Sequence, residues 1–370
     1  MLRCEELSRA RAQARARKLG ARAFAKYDQR RIRLMARAFI CGLAGARLAP
    51  EEKAFLRDAR PWGVILFRRN VESRSQLRDL TDVLREALGD DRLPILVDQE
   101  GGRVQRLAPP EWRAYPSAAS YERLGADLET AARLAFLGAR LMAHDLREVG
   151  LTIDCLPVLD TPQRGAHQVI GDRGYSGDPA RVARLGRAAA DGLLASGVLP
   201  VMKHIPGHGR AAADSHFELP RVAASLQALR DADFAPFAAN ADLPIAMTAH
   251  VVFEAIDPER PASLSPEVIG KIVRAEIGFD GLLMTDDLSM QALSGDIRER
   301  AESASAAGCD LVLHCNGELS EARRVAEGAP LLAGKSLERA DRALRLLERV
   351  EAFNPVDGER EFNAALASVA

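Results

Sequence analysis

An excess of either charge is missing from this chain as a whole. Its 51 basic and 52 acidic residues leave a formal net charge of −1 over 370 residues, which gives no case for nucleic-acid or strongly anionic partners. Cysteine is sparse, and no CxxC occurs. The five (Cys4, Cys41, Cys155, Cys309 and Cys315) read as buried free thiols in a reducing, cytoplasmic compartment. No uncharged apolar run reaches the roughly 18 residues a membrane span needs, so none is expected. The N-terminus lacks the apolar core of a secretory signal, so export is not indicated. Gly101-Gly102 lacks the third glycine of a dinucleotide fingerprint, and no GxxxxGK[ST] appears. No cofactor and no metal are expected.

What is present supports a packed protein, with 47% apolar and 28% charged residues. The balanced charge hides a split. Residues 1–34 hold eleven basic and three acidic residues, a net +8 against −9 for the remainder. Arg and Ala alternate there without an apolar face. The segment reads as a basic N-terminal extension, either disordered or the product of a start placed ahead of Met35. Residues 35–370 read as one domain.

From about Ala36 onward, short apolar runs alternate with longer amphipathic stretches. The runs are Ala38–Leu43, Gly63–Phe67, Pro94–Asp98, Leu151–Asp160, Leu199–His204, Ile245–His250, Gly281–Asp286 and Asp310–His314. Their Val, Ile and Leu content suits strands buried on both faces. Helices are expected between them, for example over Asp127–Val149, Pro179–Ser196 and Ser265–Ile277, with Asp178-Pro179 and Ser265-Pro266 as start signals. Eight such units predict an α/β fold, a single (β/α)8 TIM-type barrel with long active-site loops. The alternative is an open doubly wound sheet.

Polar residues cluster where these runs end: Asp98–Arg103, Asp160, Lys203-His204, His250 and Asp286-Asp287. In a barrel those ends share one mouth, where active sites form. The densest group is Lys203–Gly209 followed by Asp214-Ser215-His216, with three histidines in thirteen residues. Asp214 and His216 are two apart, so in extended chain they point the same way and the carboxylate can orient the imidazole. Adjacent Asp286 and Asp287 suggest one chemical group and one structural partner. Asp98 with Arg103 and Arg106, and Ile170–Arg173, complete a set suited to a polyhydroxylated ligand. Gly207 and Gly209 are candidate hinges for the loop.

Four stretches then carry a resemblance. Val97–Leu107 (VDQEGGRVQRL), Lys203–Gly209 with Asp214–His216, Ala249-His250-Val251, and Asp286–Met290 resemble the bacterial cytosolic β-N-acetylglucosaminidases of glycoside hydrolase family 3 that act in peptidoglycan recycling. The likeness runs in order from about Met35 to about Leu347. Its specific part is the Asp-Ser-His loop, which β-glucosidase members of the family lack. The resemblance implies a retaining mechanism with Asp286 as nucleophile, His216 as general acid/base and Asp214 as its partner. It places Asp98, Arg106, Arg173, Lys203 and His204 on the terminal GlcNAc. The substrate it implies is a small GlcNAc-anhydroMurNAc fragment, with or without peptide. A monomer with no nucleic-acid or membrane partner is expected. Thr285 stands where the family commonly has Ser, and the basic leader has no recognised counterpart.

Three rival readings remain at this point. A phosphorylase would transfer GlcNAc to phosphate on the same site. A non-catalytic barrel would bind the sugar without cleaving it. A metal-dependent hydrolase would use His204, His208, His216, His250 and Asp286 as ligands, and would lose activity to a chelator.

Overall fold

The structure, a computed structural model, describes residues 36–367 except Ala126 and His216. The basic segment 1–34 and the reading placed on it lie outside the described residues. Eight parallel strands close into a barrel in chain order, each paired with its sequence neighbours and the last with the first. They are β1 (Arg37–Gly42), β2 (Pro61–Leu66), β3 (Ile95–Val97), β4 (Ile153–Asp154), β5 (Leu199–Ile205), β6 (Ile245–Thr248), β7 (Leu282–Asp287) and β8 (Leu311–His314). Every predicted run became a strand, and closure of the sheet rules out the doubly wound alternative.

The side-chain period of two sorts these strands into two cores. Ala38 and Ile40, Ile65, Leu96, Leu199 and Val201, Ile245 and Met247, Leu282 and Met284, and Leu311 and Leu313 share one buried cluster inside the barrel. Their alternates Phe39, Cys41, Val64, Leu66, Ile95, Val97 and Val312 pack outward against helices. Met202, Ala246 and Leu283 do so on the opposite side.

The run Leu151–Asp160 is strand only over Ile153–Asp154. Pro157 has no N–H to donate, so the regular ladder cannot continue through it. The Pro157 carbonyl still accepts from the Lys203 N–H at 3.0 Å, and the Leu159 N–H donates to the Lys203 carbonyl at 2.7 Å. The predicted helices form over Leu128–Glu148, Pro179–Ala195 and Val268–Glu276. Asp127, Asp178 and Ser265 cap them by accepting backbone N–H groups, as their residue types predict. Cys41, Cys155 and Cys309 are buried free thiols, and Cys315 is partly exposed. Among the described residues no helix is long and apolar enough to cross a membrane.

Candidate active site

Three strands carry their inward register one step past the apolar core. Leu96 is followed two residues on by Asp98, Val201 by Lys203, and Met284 by Asp286. A period of two points these side chains up the barrel axis into the mouth at the C-terminal strand ends. All three line a cavity of about 300 Å³, together with Arg106, Arg173, His204, His208, Asp214 and Ser215. The structure thus gathers every predicted site residue it describes. His216 lies outside the described residues.

The floor of this cavity is an ion-pair network. Lys203 is only 2% exposed, and its Nζ lies 2.7 Å from Asp98 Oδ1 and 2.6 Å from Glu100 Oε1. Arg106 Nη2 donates to Asp98 Oδ2 at 3.1 Å. Arg173 forks onto Glu100 through Nε at 2.8 Å and Nη2 at 2.9 Å. Burial alone would raise both carboxyls, but Lys203 and Arg106 hold Asp98 far below the carboxylate range. Lys203 and Arg173 bring Glu100 down to about 2. The reciprocal effect lifts Lys203: burial disfavours its charge, and the two carboxylates outweigh burial. A buried network of this kind gains little net stability but fixes geometry, because each long side chain is held by more than one bond.

A short hairpin (Gln99–Gly101 with Val104–Gln105) returns Arg106 to Asp98. Gln99 Oε1 accepts the N–H groups of Arg106 and Leu107 at 2.9 and 3.0 Å. Arg103 reaches the opposite rim, where its Nη2 donates to the carbonyls of Gln168 and Val169 at 2.8 and 2.7 Å. It therefore holds the loop that presents Arg173 rather than facing a ligand alone.

Asp160 organises the histidines. Fully buried, it accepts from the His204 N–H at 3.2 Å and the His208 N–H at 2.7 Å, and pairs with His204 Nδ1 at 2.6 Å. That contact leaves His204 Nε2 as the ring nitrogen facing away from the carboxylate. Despite burial, His204 and the other partners keep Asp160 below its ordinary value. Burial and the neighbouring His204 push His208 down to about 4, so it is neutral near pH 7. Its Nε2 meets Ser215 Oγ at 3.1 Å, tying one end of the loop to the other.

Asp286 and Asp287 differ in their bonding. Asp287 is consumed by structure: its oxygens accept from Ser289 N and Oγ at 3.0 and 2.6 Å and from the Cys315 N–H at 3.0 Å. Asp286 Oδ1 accepts the Asp287 N–H at 2.8 Å, and its carboxylate faces the cavity. Both ring nitrogens of His250 are engaged, Nδ1 with Ser263 Oγ at 2.7 Å and Nε2 with the Asp287 carbonyl at 3.0 Å. His250 therefore packs beneath Asp287. Among the described residues no three metal-ligating side chains converge.

Sequence reasoning passed over Glu100 and undervalued Asp160. A signal existed for each. Glu100 follows Asp98 at a spacing of two, and Asp160 ends an apolar run. Neither spacing reveals that one carboxylate bridges Lys203 to Arg173 and that the other serves two histidines.

Fold and site together define a (β/α)8-barrel enzyme whose mouth joins a hydrogen-bonding floor to the Asp286 carboxylate near the end of β7. Residues 32–346 match the glycosyl hydrolase family 3 N terminal domain. The chain belongs to that family and is a glycoside hydrolase. It is similar to a beta-hexosaminidase from Alkalilimnicola ehrlichii, 45% identical over 282 residues, 74% of this chain and 79% of that protein. Among solved structures, NagZ from Neisseria gonorrhoeae in complex with N-trifluoroacetyl-D-glucosamine aligns at a TM-score of 0.77 and 34% identity, covering 90% of this chain and 97% of that one. A family 3 β-N-acetylglucosaminidase from Paenibacillus sp. str. FPU-7 aligns at a TM-score of 0.77 and 31% identity, covering 86% of this chain. This chain spans 62% of the length of that protein.

Proposed function

We propose that this protein is a retaining exo-β-N-acetylglucosaminidase. It removes terminal β-linked GlcNAc from peptidoglycan fragments, GlcNAc-1,6-anhydroMurNAc with or without peptide, and it works as a cytoplasmic monomer without cofactor or metal. The observation that carries this reading is that Asp286 and the Asp214-bearing loop line one cavity, over a floor rich in fixed hydrogen-bonding groups. The names of the similar proteins supply the sugar.

In this reading Asp98, Arg106, Arg173, Lys203 and His204 hold the hydroxyls and N-acetyl group of the terminal sugar. The Asp286 carboxylate attacks the anomeric carbon while the C1–O bond to the aglycone breaks, and the departing oxygen takes a proton from His216. Water then attacks the same carbon and gives a proton back to His216. That step breaks the ester to Asp286 and releases the sugar with its original configuration. A histidine suits both steps, because its ordinary pKa lies near neutrality and Asp214 can steady the imidazolium.

A fluorinated GlcNAc derivative that keeps the N-acetyl group and carries a good leaving group tests the nucleophile. Its mass is expected on the peptide containing Asp286, and a label elsewhere removes the assignment. Product analysis on GlcNAc-anhydroMurNAc tests the acceptor. Free GlcNAc is expected with or without phosphate; a sugar phosphate would convert the reading to a phosphorylase. An unchanged substrate would favour the non-catalytic barrel.

A further inference from the structure

The loop after β5 divides into a packed root and an outer stretch. Gly207 and Gly209, expected as hinges, belong to the root. A Cβ on Gly207 would lie 2.9 Å from Asp233 Cβ, and one on Gly209 would lie 2.0 Å from the Thr161 carbonyl oxygen. The Gly209 carbonyl accepts from the Gln163 N–H at 3.0 Å, and the Ala211 carbonyl accepts from the His167 N–H at 2.9 Å. Ala211 is buried and Ala212 is exposed. Glycines enclosed this tightly cannot serve as pivots while the barrel stays packed. The packed root therefore extends through Ala211, and the chain becomes exposed at Ala212.

Arg210 sits at that boundary. Its Nε donates to Asp233 Oδ2 at 2.6 Å, and its Nη2 donates to the Ala228 carbonyl at 3.2 Å. The Asp233 side chain is only 1% exposed. We propose that the Arg210–Asp233 pair is a latch that fixes the root of this loop, making both positioning residues for proton transfer by the Asp214–His216 stretch. The inference rests on the acid/base reading above and adds two residues to it. Stability alone does not account for the pair. Burial, against the pull of Arg210, raises the Asp233 carboxyl to about 6, so holding it ionised costs more here than in water. A neutral side chain would pack there at less cost. What the pair supplies is a fixed, two-point attachment for one residue of the loop.

Arg210→Ala tests the latch through kcat/KM, which reports the first chemical step. For a GlcNAc disaccharide, whose leaving oxygen needs a proton, a loss of about tenfold is expected, because small misplacements of a catalytic group are costly. For the dinitrophenyl glycoside, which leaves unprotonated, kcat/KM should stay within about twofold. Arg210→Lys should recover part of the loss, and Arg210→Ala/Asp233→Ala should lose no more than Arg210→Ala alone. Equal losses on both substrates, or no loss on either, would overturn the latch. His216→Ala is the control: if it shows no leaving-group dependence, the acid/base reading fails and takes the latch with it. If it does and Arg210→Ala does not, only the latch fails.

Discussion

Lys203 and Arg210 are seven residues apart on one strand and its loop, and each is paired with buried carboxylate. The outcomes are opposite. Lys203 holds Asp98 and Glu100 below their ordinary range, whereas Asp233 stays above its own even with Arg210 at 2.6 Å. The difference lies in the number of partners. Asp98 and Glu100 share Lys203 and each have an arginine besides, while Asp233 has one cation and lies within reach of the Asp160 charge. The floor is charged and multiply bonded. At the rim, the Arg210–Asp233 pair does not bring its carboxyl below the ordinary range.

The comparison can be tested from its strongest effect downward. Asp286→Ala should cost at least about 10⁴ in kcat on an aryl β-GlcNAc substrate, while calorimetry still detects GlcNAc binding. Loss of binding as well would mean that floor and chemistry are not separable. Lys203→Met leaves Asp98 and Glu100 buried without their shared cation, and should destabilise the fold by about 3–5 kcal/mol in urea unfolding. Arg210→Met should cost no more than about 1 kcal/mol in the same assay, because Asp233 can take up a proton instead. Equal costs would erase the contrast.

The third test is pH. Asp233 keeps its proton up to about pH 6 when folded, but only to about 4 when unfolded. Between those values the folded state binds more protons, so this group's contribution to stability falls as pH rises. The groups facing it are Arg210 and Asp160. Asp233→Asn removes that fall, so the variant should gain about 2 kcal/mol on the wild type between pH 4 and pH 7.5. A gain in the opposite direction would show that Arg210 dominates the Asp233 environment. Smallest is Ser215→Ala, which removes the bond to His208 and should cost about 1 kcal/mol in urea unfolding.

Much of the architecture was legible in the sequence because its signals are local. Val, Ile and Leu runs marked all eight strands, and Asp127, Asp178 and Ser265 marked helix starts. The ends of the runs marked Asp98, Lys203 and Asp286 as candidates for the mouth, and in the structure each continues an inward series. Motif likeness supplied proposed roles that periodicity could not, such as nucleophile for Asp286. Less legible were residues whose importance comes from partners far along the chain. Glu100 meets Lys203 across more than a hundred residues, and Asp160 meets His208 across nearly fifty. The glycines of the loop misled for the same reason. Gly207 and Gly209 read as hinges in isolation, but Asp233 and Thr161 close on them in the fold.

The sequence by itself therefore determined the barrel and the family, because apolar runs, caps and contiguous motifs are written in neighbouring residues. Only the tertiary structure decided which charges neutralise one another, how the adjacent aspartates divide their bonds, and where the loop is fastened. Those depend on burial and on distances between strands, and no local spacing encodes either.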